Sequence, residues 1–334
     1  MSKKIIAICG SYGKTSLKEI LFQILSSKFR VLQSFGNENT PLGISKLVNK
    51  LTSEHQILLL EFGEFVVGDI RGLCEFFPPN IGIITGINNQ HHERMGGIDK
   101  AIQCMFEMAE FCETLVLNID DQNVRENWQK YAQKNQEIWF YSSENNEKSS
   151  LRFQKAEFDK ESLNWKVEVA KEDLEQLENL TVFTDNLTNR KITENSVENS
   201  KQIEEKNKKN ETNSAQILEN NLAKKLESYL EDDYILDEFN NSNKQIQKEK
   251  QTETFEIKLL GKYAVGNLIC GIIISKKLEM TDLEIQLGVA NVVPIKHRLE
   301  PIWNEKNQVL VVDDSYNGNI DGVLEAIDVL ARLK

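Results

Sequence analysis

The residues best suited to chemistry stand near the front of the chain, in Gly10-Ser11-Tyr12-Gly13-Lys14-Thr15-Ser16. They follow a short β-branched run, Lys4–Cys9. They precede a stretch, Ser16–Ser27, in which Leu17, Ile20, Leu21, Ile24 and Leu25 fall at helical spacing. Between a strand and a helix, glycines permit a tight turn that presents backbone N–H groups to phosphate oxygens, and the helix N-terminus adds partial positive charge. In such a loop the Lys14 ammonium neutralises β- and γ-phosphates, and the Thr15 hydroxyl ligates Mg2+. The spacing departs from the usual G-x-x-x-x-G-K-[ST], because position 8 is Ile and the loop is shorter, but the Gly13-Lys14-Thr15 ending is kept.

Further along, polar residues sit where strands and helices should begin or end. Glu61 closes the apolar run Ile57–Leu60, and a carboxylate at the C-terminal end of a parallel strand faces the ligand crevice. The competing reading of Glu61 is an ordinary strand end in solvent. Asn267 can pair bidentately with an adenine edge, or can simply cap a helix after Gly266. Arg298 offers a planar fork for phosphate or acyl-phosphate charge. Asp314 and Asn317 lie on a turn after a strand, where a ribose or base could be held. His91 and His92 adjoin in a polar loop, where residue type alone suggests plain exposure.

The elements that must position these groups alternate strand and helix. Strands are expected at Lys4–Cys9, Val31–Gln33, Ile57–Glu61, Ile81–Thr85 and Thr114–Leu117, with helices over Ser16–Ser27, Asp69–Phe77 and Lys100–Cys112. That pitch predicts an α/β fold with a doubly wound, mostly parallel sheet carrying a phosphate loop. From Lys171 to Thr252 the composition turns to Asn, Glu, Lys and Gln, which predicts a largely disordered insertion, with Leu218–Phe239 as its one helical candidate. Order is expected to return with a strand at Phe255–Leu260 and a helix near Val265–Lys277. A last strand, Val309–Asp313, and helix, Asp321–Leu333, would open a further domain.

With 52 acidic against 40 basic residues the formal charge is −12, which argues against general binding to nucleic acid or to an anionic membrane. The five cysteines are an odd number without a C-x-x-C pair, so they read as reduced, mostly buried thiols. The first apolar run is too short for a secretory core, no run approaches a membrane span, and the chain reads as cytoplasmic.

The loop and the motifs after it resemble those of the Mur ligases, which extend the peptide of the bacterial cell-wall precursor. Gly10–Glu19 resembles their phosphate loop, and Lys18-Glu19 is most similar to the branch that adds D-alanyl-D-alanine. Gly36–Gly43, Leu60–Gly63, Ile84–Glu93, Gly261–Asn267, His297–Pro301 and Asp313–Asn317 resemble later family motifs in the same order. The likeness covers roughly residues 3–120 and 255–334.

The resemblance implies an ATP-dependent ligase that forms an amide through an acyl phosphate, with Mg2+ as cofactor. Its implied substrates are a UDP-N-acetylmuramoyl-peptide and an amino acid or dipeptide. It assigns catalysis to Lys14, His91 and Arg298, and the metal to Thr15, Glu61 and His91. Nucleotide contacts fall on Gly10, Ser11, Tyr12, Gly13, Lys14, Thr15, Ser16, Asn267, Arg298, Asp314 and Asn317. Residues 1–170 and 253–293 would form the ATP-binding domain, 171–252 the insertion, and 294–334 the beginning of a second, Rossmann-like α/β domain. The family's UDP-holding domain and most of its C-terminal domain have no counterpart here, so a separate chain could supply them. A family lysine, often carbamylated to hold a second Mg2+, is replaced by Met105, so a second ion site should be weak or absent. In the adenine motif a His-Asn pair has become Tyr263-Ala264. The alternative is a catalytically idle, nucleotide-binding subunit or scaffold. Arg298, Asp314 and Asn317 favour the ligase, whereas Met105 and the missing domains favour the scaffold.

Overall fold

The computed structural model describes residues 3–36, 38–88, 95–179, 252–316 and 320–334. Residues 1–185 with 253–334 form one compact unit.

Its centre is a six-stranded sheet in the order β2-β3-β1-β4-β5-β6. The strands are β1 (Lys4–Cys9), β2 (Val31–Gln33), β3 (Ile57–Glu61), β4 (Ile81–Ile84), β5 (Thr114–Asn118) and β6 (Glu137–Tyr141). Every neighbouring pair is parallel. Such strands are buried on both faces, which is why β3 reads Ile-Leu-Leu-Leu before its terminal Glu61. After β1 the chain winds to one side through α1 (Lys14–Leu25) and β2, whereas β4, β5 and β6 extend the other side. The order therefore reverses between β1 and β4, and a ligand crevice opens beyond their C-terminal ends.

One face of the sheet is sealed by α1 and by α7 (Tyr263–Lys277), with Leu17, Leu21 and Ile24 packing in one core with Leu268, Ile269 and Ile272. Nearly all of α7 is buried, as its all-round apolar sequence requires. Helix α8 (Asp282–Ala290) packs on α1 and starts with a capping box between Thr281 and Glu284. The other connections are α2 (Pro41–Val48), α3 (Asp69–Phe76), α4 (Ile98–Phe106) and α5 (Gln122–Tyr131). The helix expected over Lys100–Cys112 tightens after Phe106 into a 3-10 turn, Glu107–Glu110.

A second, three-stranded sheet runs β7 (Lys155–Asp159), β8 (Asn164–Ala170), β9 (Thr252–Ile257). Composition placed the end of order at Lys171, and the structure corrects this. Lys171–Asn179 forms helix α6, whose Leu174 and Leu177 are buried in the main core. Two apolar residues at helical spacing outweigh the polar background. Residues 180–251, including the helical candidate 218–239, lie outside the described residues. Because β8 and β9 are neighbours in one sheet, replacing 180–251 by a short Gly/Ser link should leave the thermal midpoint within about 3 °C and nucleotide binding unchanged. Loss of the cooperative transition in calorimetry would show that the segment is integral to the fold.

The last elements are β10 (Glu300–Asn304), antiparallel to β11 (Val309–Asp313), and α9 (Ile320–Leu333). The sequence reading had one strand here. Its partner β10 was hidden because Pro301 interrupts a segment without apolar alternation. Among the described residues, no helix is long and apolar enough to cross a membrane. All five cysteines are free and buried, and burial raises each thiol above its ordinary range.

Candidate active site

The crevice beyond β1 and β4 is a cleft of about 560 Å³. Its floor is the loop after β1. Gly10 holds φ +141°, and a Cβ there would collide with Thr85 Oγ1, so only glycine lets the loop pass the end of β4. Gly13 holds φ +78° and N-caps α1, turning the chain so that the helix N-terminus points into the cleft. The loop is pinned across the switch point: Ser11 N donates to Gly86 O at 2.8 Å, and Tyr12 OH donates to Asp121 Oδ2 at 2.8 Å. Thr85 Oγ1 is shared between the carbonyls of Cys9, at 3.2 Å, and Tyr12.

Buried charge surrounds this loop. Lys14 Nζ donates to the Gly10 carbonyl and, at 3.2 Å, to Glu64 Oε1. Lys18, one turn into α1, is completely buried and lies 3.3 Å from Glu61 Oε2 and 3.6 Å from Glu19 Oε1. Ser34 Oγ accepts from the backbone N–H of Glu61 at 3.0 Å and fixes the strand end. Burial is the main force pushing the Glu64 carboxyl up to about 7; the Glu61 charge adds to it and Lys14 opposes it. Glu64 Oε2 is buried without a hydrogen-bond donor, and Glu61 Oε2 is met only by the Lys18 ammonium, as an ion pair without hydrogen-bond geometry. Thr15 and Glu61 line the cleft, so hard oxygen donors of the kind Mg2+ selects stand beside the loop.

The remaining wall is built from the other parts of the chain. Asp120, after β5, accepts from Ser142 Oγ at 2.6 Å and from Ser143 N at 2.6 Å, which holds the β6 turn against Gly266 of α7. Asn267 lies in the first turns of α7, 8% exposed, and lines the cleft with Tyr263. Arg298 stands between two residues of positive φ, His297 (61°) and Leu299 (48°). Its guanidinium stacks 4.4 Å over the Tyr316 ring. Asp314 Oδ1 accepts from Leu299 N at 3.2 Å, and burial raises the Asp314 carboxyl above its usual range. His297 Nδ1 lies 2.8 Å from Asp313 Oδ2, and hydrogen bonds from Ser315 and then His297 hold Asp313 below the usual range.

A family model for the Mur ligase middle domain matches residues 8–190, more than half of the chain. The chain belongs to the Mur ligase family. Beyond the middle domain, the chain is similar over 333 residues to UDP-N-acetylmuramoyl-tripeptide–D-alanyl-D-alanine ligases. It is 23% identical to that of Escherichia coli and 22% to that of Buchnera aphidicola, covering 99% of this chain and 55% of each relative. The Mur ligase chain therefore spans about half the length of these curated relatives. A shorter match, 37% identical over 90 residues, is to the Borreliella burgdorferi ligase of the same name. Among solved structures, MurF ligase from Thermotoga maritima in complex with ADP superposes with a TM-score of 0.66 at 18% identity, covering 99% of this chain and 58% of that one. A MurF from Acinetobacter baumannii gives 0.65 at 19% identity, over 99% and 54%. These superpositions show that the described unit has the Mur ligase fold.

In this Mur ligase chain the cleft brings together Ser11, Tyr12, Gly13, Lys14, Thr15, Ser16, Glu61, Asn267, Arg298 and Asp314. Gly10 shapes the loop but does not line the cleft. His91 and Asn317 lie outside the described residues. Met105 is buried, 1% exposed, with its carbonyl 3.6 Å from the Cys9 thiol, and it is not among the lining residues. Sequence reasoning missed Glu64, Asp120, Asp121, Thr85 and Lys262. Asp120 and Asp121 follow the C-terminal end of β5, so the rule that singled out Glu61 would have found them. Glu64 lies three residues after Glu61 and carried no motif of its own.

Proposed function

We propose that this chain is the ATP-binding part of an ADP-forming Mur ligase that joins D-alanyl-D-alanine, or a related amine, to a UDP-N-acetylmuramoyl-peptide. The observation that carries this reading is the single cleft uniting the loop after β1 with Asn267, Arg298 and Asp314, which come from opposite ends of the sequence. In the reaction, a carboxylate oxygen of the precursor peptide attacks the γ-phosphorus of ATP, forming an acyl phosphate and releasing ADP. The amine then attacks the acyl carbon, loses its proton, and phosphate leaves.

For this chemistry the backbone N–H groups of the loop and the α1 N-terminus cradle the phosphates, and Lys14 neutralises them. Thr15 and Glu61 are the described residues that would hold Mg2+, with His91 assigned to the same ion by the family resemblance. When bound, the ion supplies charge neutralisation to the transferring phosphoryl group. Asn267 pairs with adenine, Asp314 and Asn317 hold the ribose or base side, and Arg298, held by Tyr316, faces the developing acyl-phosphate charge. The UDP portion and the incoming dipeptide would be held by parts corresponding to the remaining 45% of the relatives, by difference from the 55% covered.

Calorimetry tests this reading. The chain should bind Mg·ADP at one site. Asn267→Ala should weaken that binding about tenfold while leaving pyrophosphate affinity unchanged, because an amide–base pair contributes on the order of 1.4 kcal/mol. Absence of ADP binding, or equal affinity in the two proteins, would remove the adenine site.

A further inference from the structure

Glu64 is the buried charge that the proposed reaction leaves unused. It follows β3 in the loop Phe62–Glu64, and its side chain is 3% exposed against 15% for Lys14. Lys14 lines the cleft and Glu64 does not, so the carboxylate sits behind the ammonium that a phosphate would meet first. The Lys14 ammonium already has two partners from its own chain, the Gly10 carbonyl and Glu64 Oε1. The second Glu64 oxygen has no hydrogen-bond donor although it is fully buried. A carboxylate in this position costs desolvation and is held in place mainly by Lys14.

The local charge balance gives this contact a consequence. Lys14 and Lys18 stand against Glu61 and Glu64, with the partly exposed Glu19 also 3.6 Å from Lys18, so the ionised side chains bring no net positive charge to the loop. Without a metal ion, the loop itself offers a polyphosphate the backbone N–H groups and the helix N-terminus as attraction, with Lys262 and Arg298 on the other wall of the cleft.

We propose that Glu64 is a resident anion of the phosphate subsite, holding Lys14 until a nucleotide's β-phosphate displaces it, and that it makes nucleotide capture conditional on a divalent cation. The inference rests on the nucleotide-binding reading above and concerns how that same site is gated. A divalent ion brings two positive charges and restores the attraction that Glu64 removes. Without Glu64, Lys14 alone would supply one uncompensated positive charge at the β-phosphate.

The test compares wild type with Glu64→Gln and Glu64→Ala at pH 8, above the range to which burial has raised this carboxyl. ADP and AMP affinities are measured by calorimetry in EDTA and again in excess Mg2+, with a thermal melt of each protein to confirm folding. In EDTA both variants should bind ADP at least about tenfold more tightly than wild type, AMP affinity should be unchanged, and Mg2+ should shrink the ADP difference to within about threefold. AMP lacks the β-phosphate and so does not need Lys14. Equal metal-free ADP affinity in the three proteins would overturn the proposal. So would an equal gain for AMP, which would indicate a general charge effect. Failure of wild type to bind ADP even with Mg2+ would instead overturn the nucleotide site on which the inference rests.

Discussion

Lys14→Ala should lower the affinity for Mg·ADP by at least about a hundredfold, since hydrogen bonds to charged groups each contribute roughly 1.5–3 kcal/mol and the proposed function assigns the cleft-lining Lys14 to the terminal phosphates. The same substitution should barely change stability. Lys14 is the partner of Glu64, and stranding a buried anion would ordinarily cost several kcal/mol. Burial has already moved the Glu64 carboxyl up to about 7, so once Lys14 is gone it can take a proton and remain buried as a neutral acid. Calorimetry of ADP binding beside a thermal melt reads both effects. A protein that melts as wild type does and no longer binds ADP is the expected result. Equal ADP affinity would show that the loop after β1 is not a phosphate site.

Lys18→Met should have the opposite profile, a large loss of stability. Lys18 is completely buried, and its ammonium stands 3.3 Å from Glu61 and 3.6 Å from Glu19. Removing it leaves Glu61 buried without its ion-pair partner and near the Glu64 charge, and breaking a buried ion pair from one side costs about 3–5 kcal/mol. Replacing both partners by groups of similar size is often close to neutral, so Lys18→Met/Glu61→Gln should recover most of that loss. The double variant should still bind nucleotide poorly with Mg2+, because Glu61 is then no longer a hard anionic donor. Denaturant titration of the single and double variants measures this. A loss below about 1 kcal/mol for Lys18→Met would mean that Glu61 is compensated elsewhere or solvated.

Read along the chain, apolar periodicity was enough to place β1, β3, β4 and β5 and the helices α1, α3 and α4, because a strand buried on both faces must be continuously apolar. The loop proposed to bind phosphate stood out for a similar reason: a glycine-rich turn between such a strand and a helix has few other uses. Motif order then led to the Mur ligase family, which the middle-domain match establishes. The register of β10 and β11 and the packing of α6 were not legible. A hairpin strand interrupted by Pro301 has no period, and Leu174 and Leu177 declare themselves buried only when a core is there to receive them.

The chemistry of the site divides along the same line. Local sequence determined which residues could bind phosphate, because the turn, the lysine and the hydroxyl are neighbours in Gly10–Thr15. Tertiary structure alone decided that Asn267, Arg298 and Asp314 share their cleft, since parallel winding and the α7 helix bring distant segments to one crevice. It alone decided that Lys14 is partnered by Glu64 and Lys18 by Glu61. Charge pairing in a low-dielectric interior depends on separations of a few ångströms between segments remote in sequence, and no spacing along the chain encodes those distances.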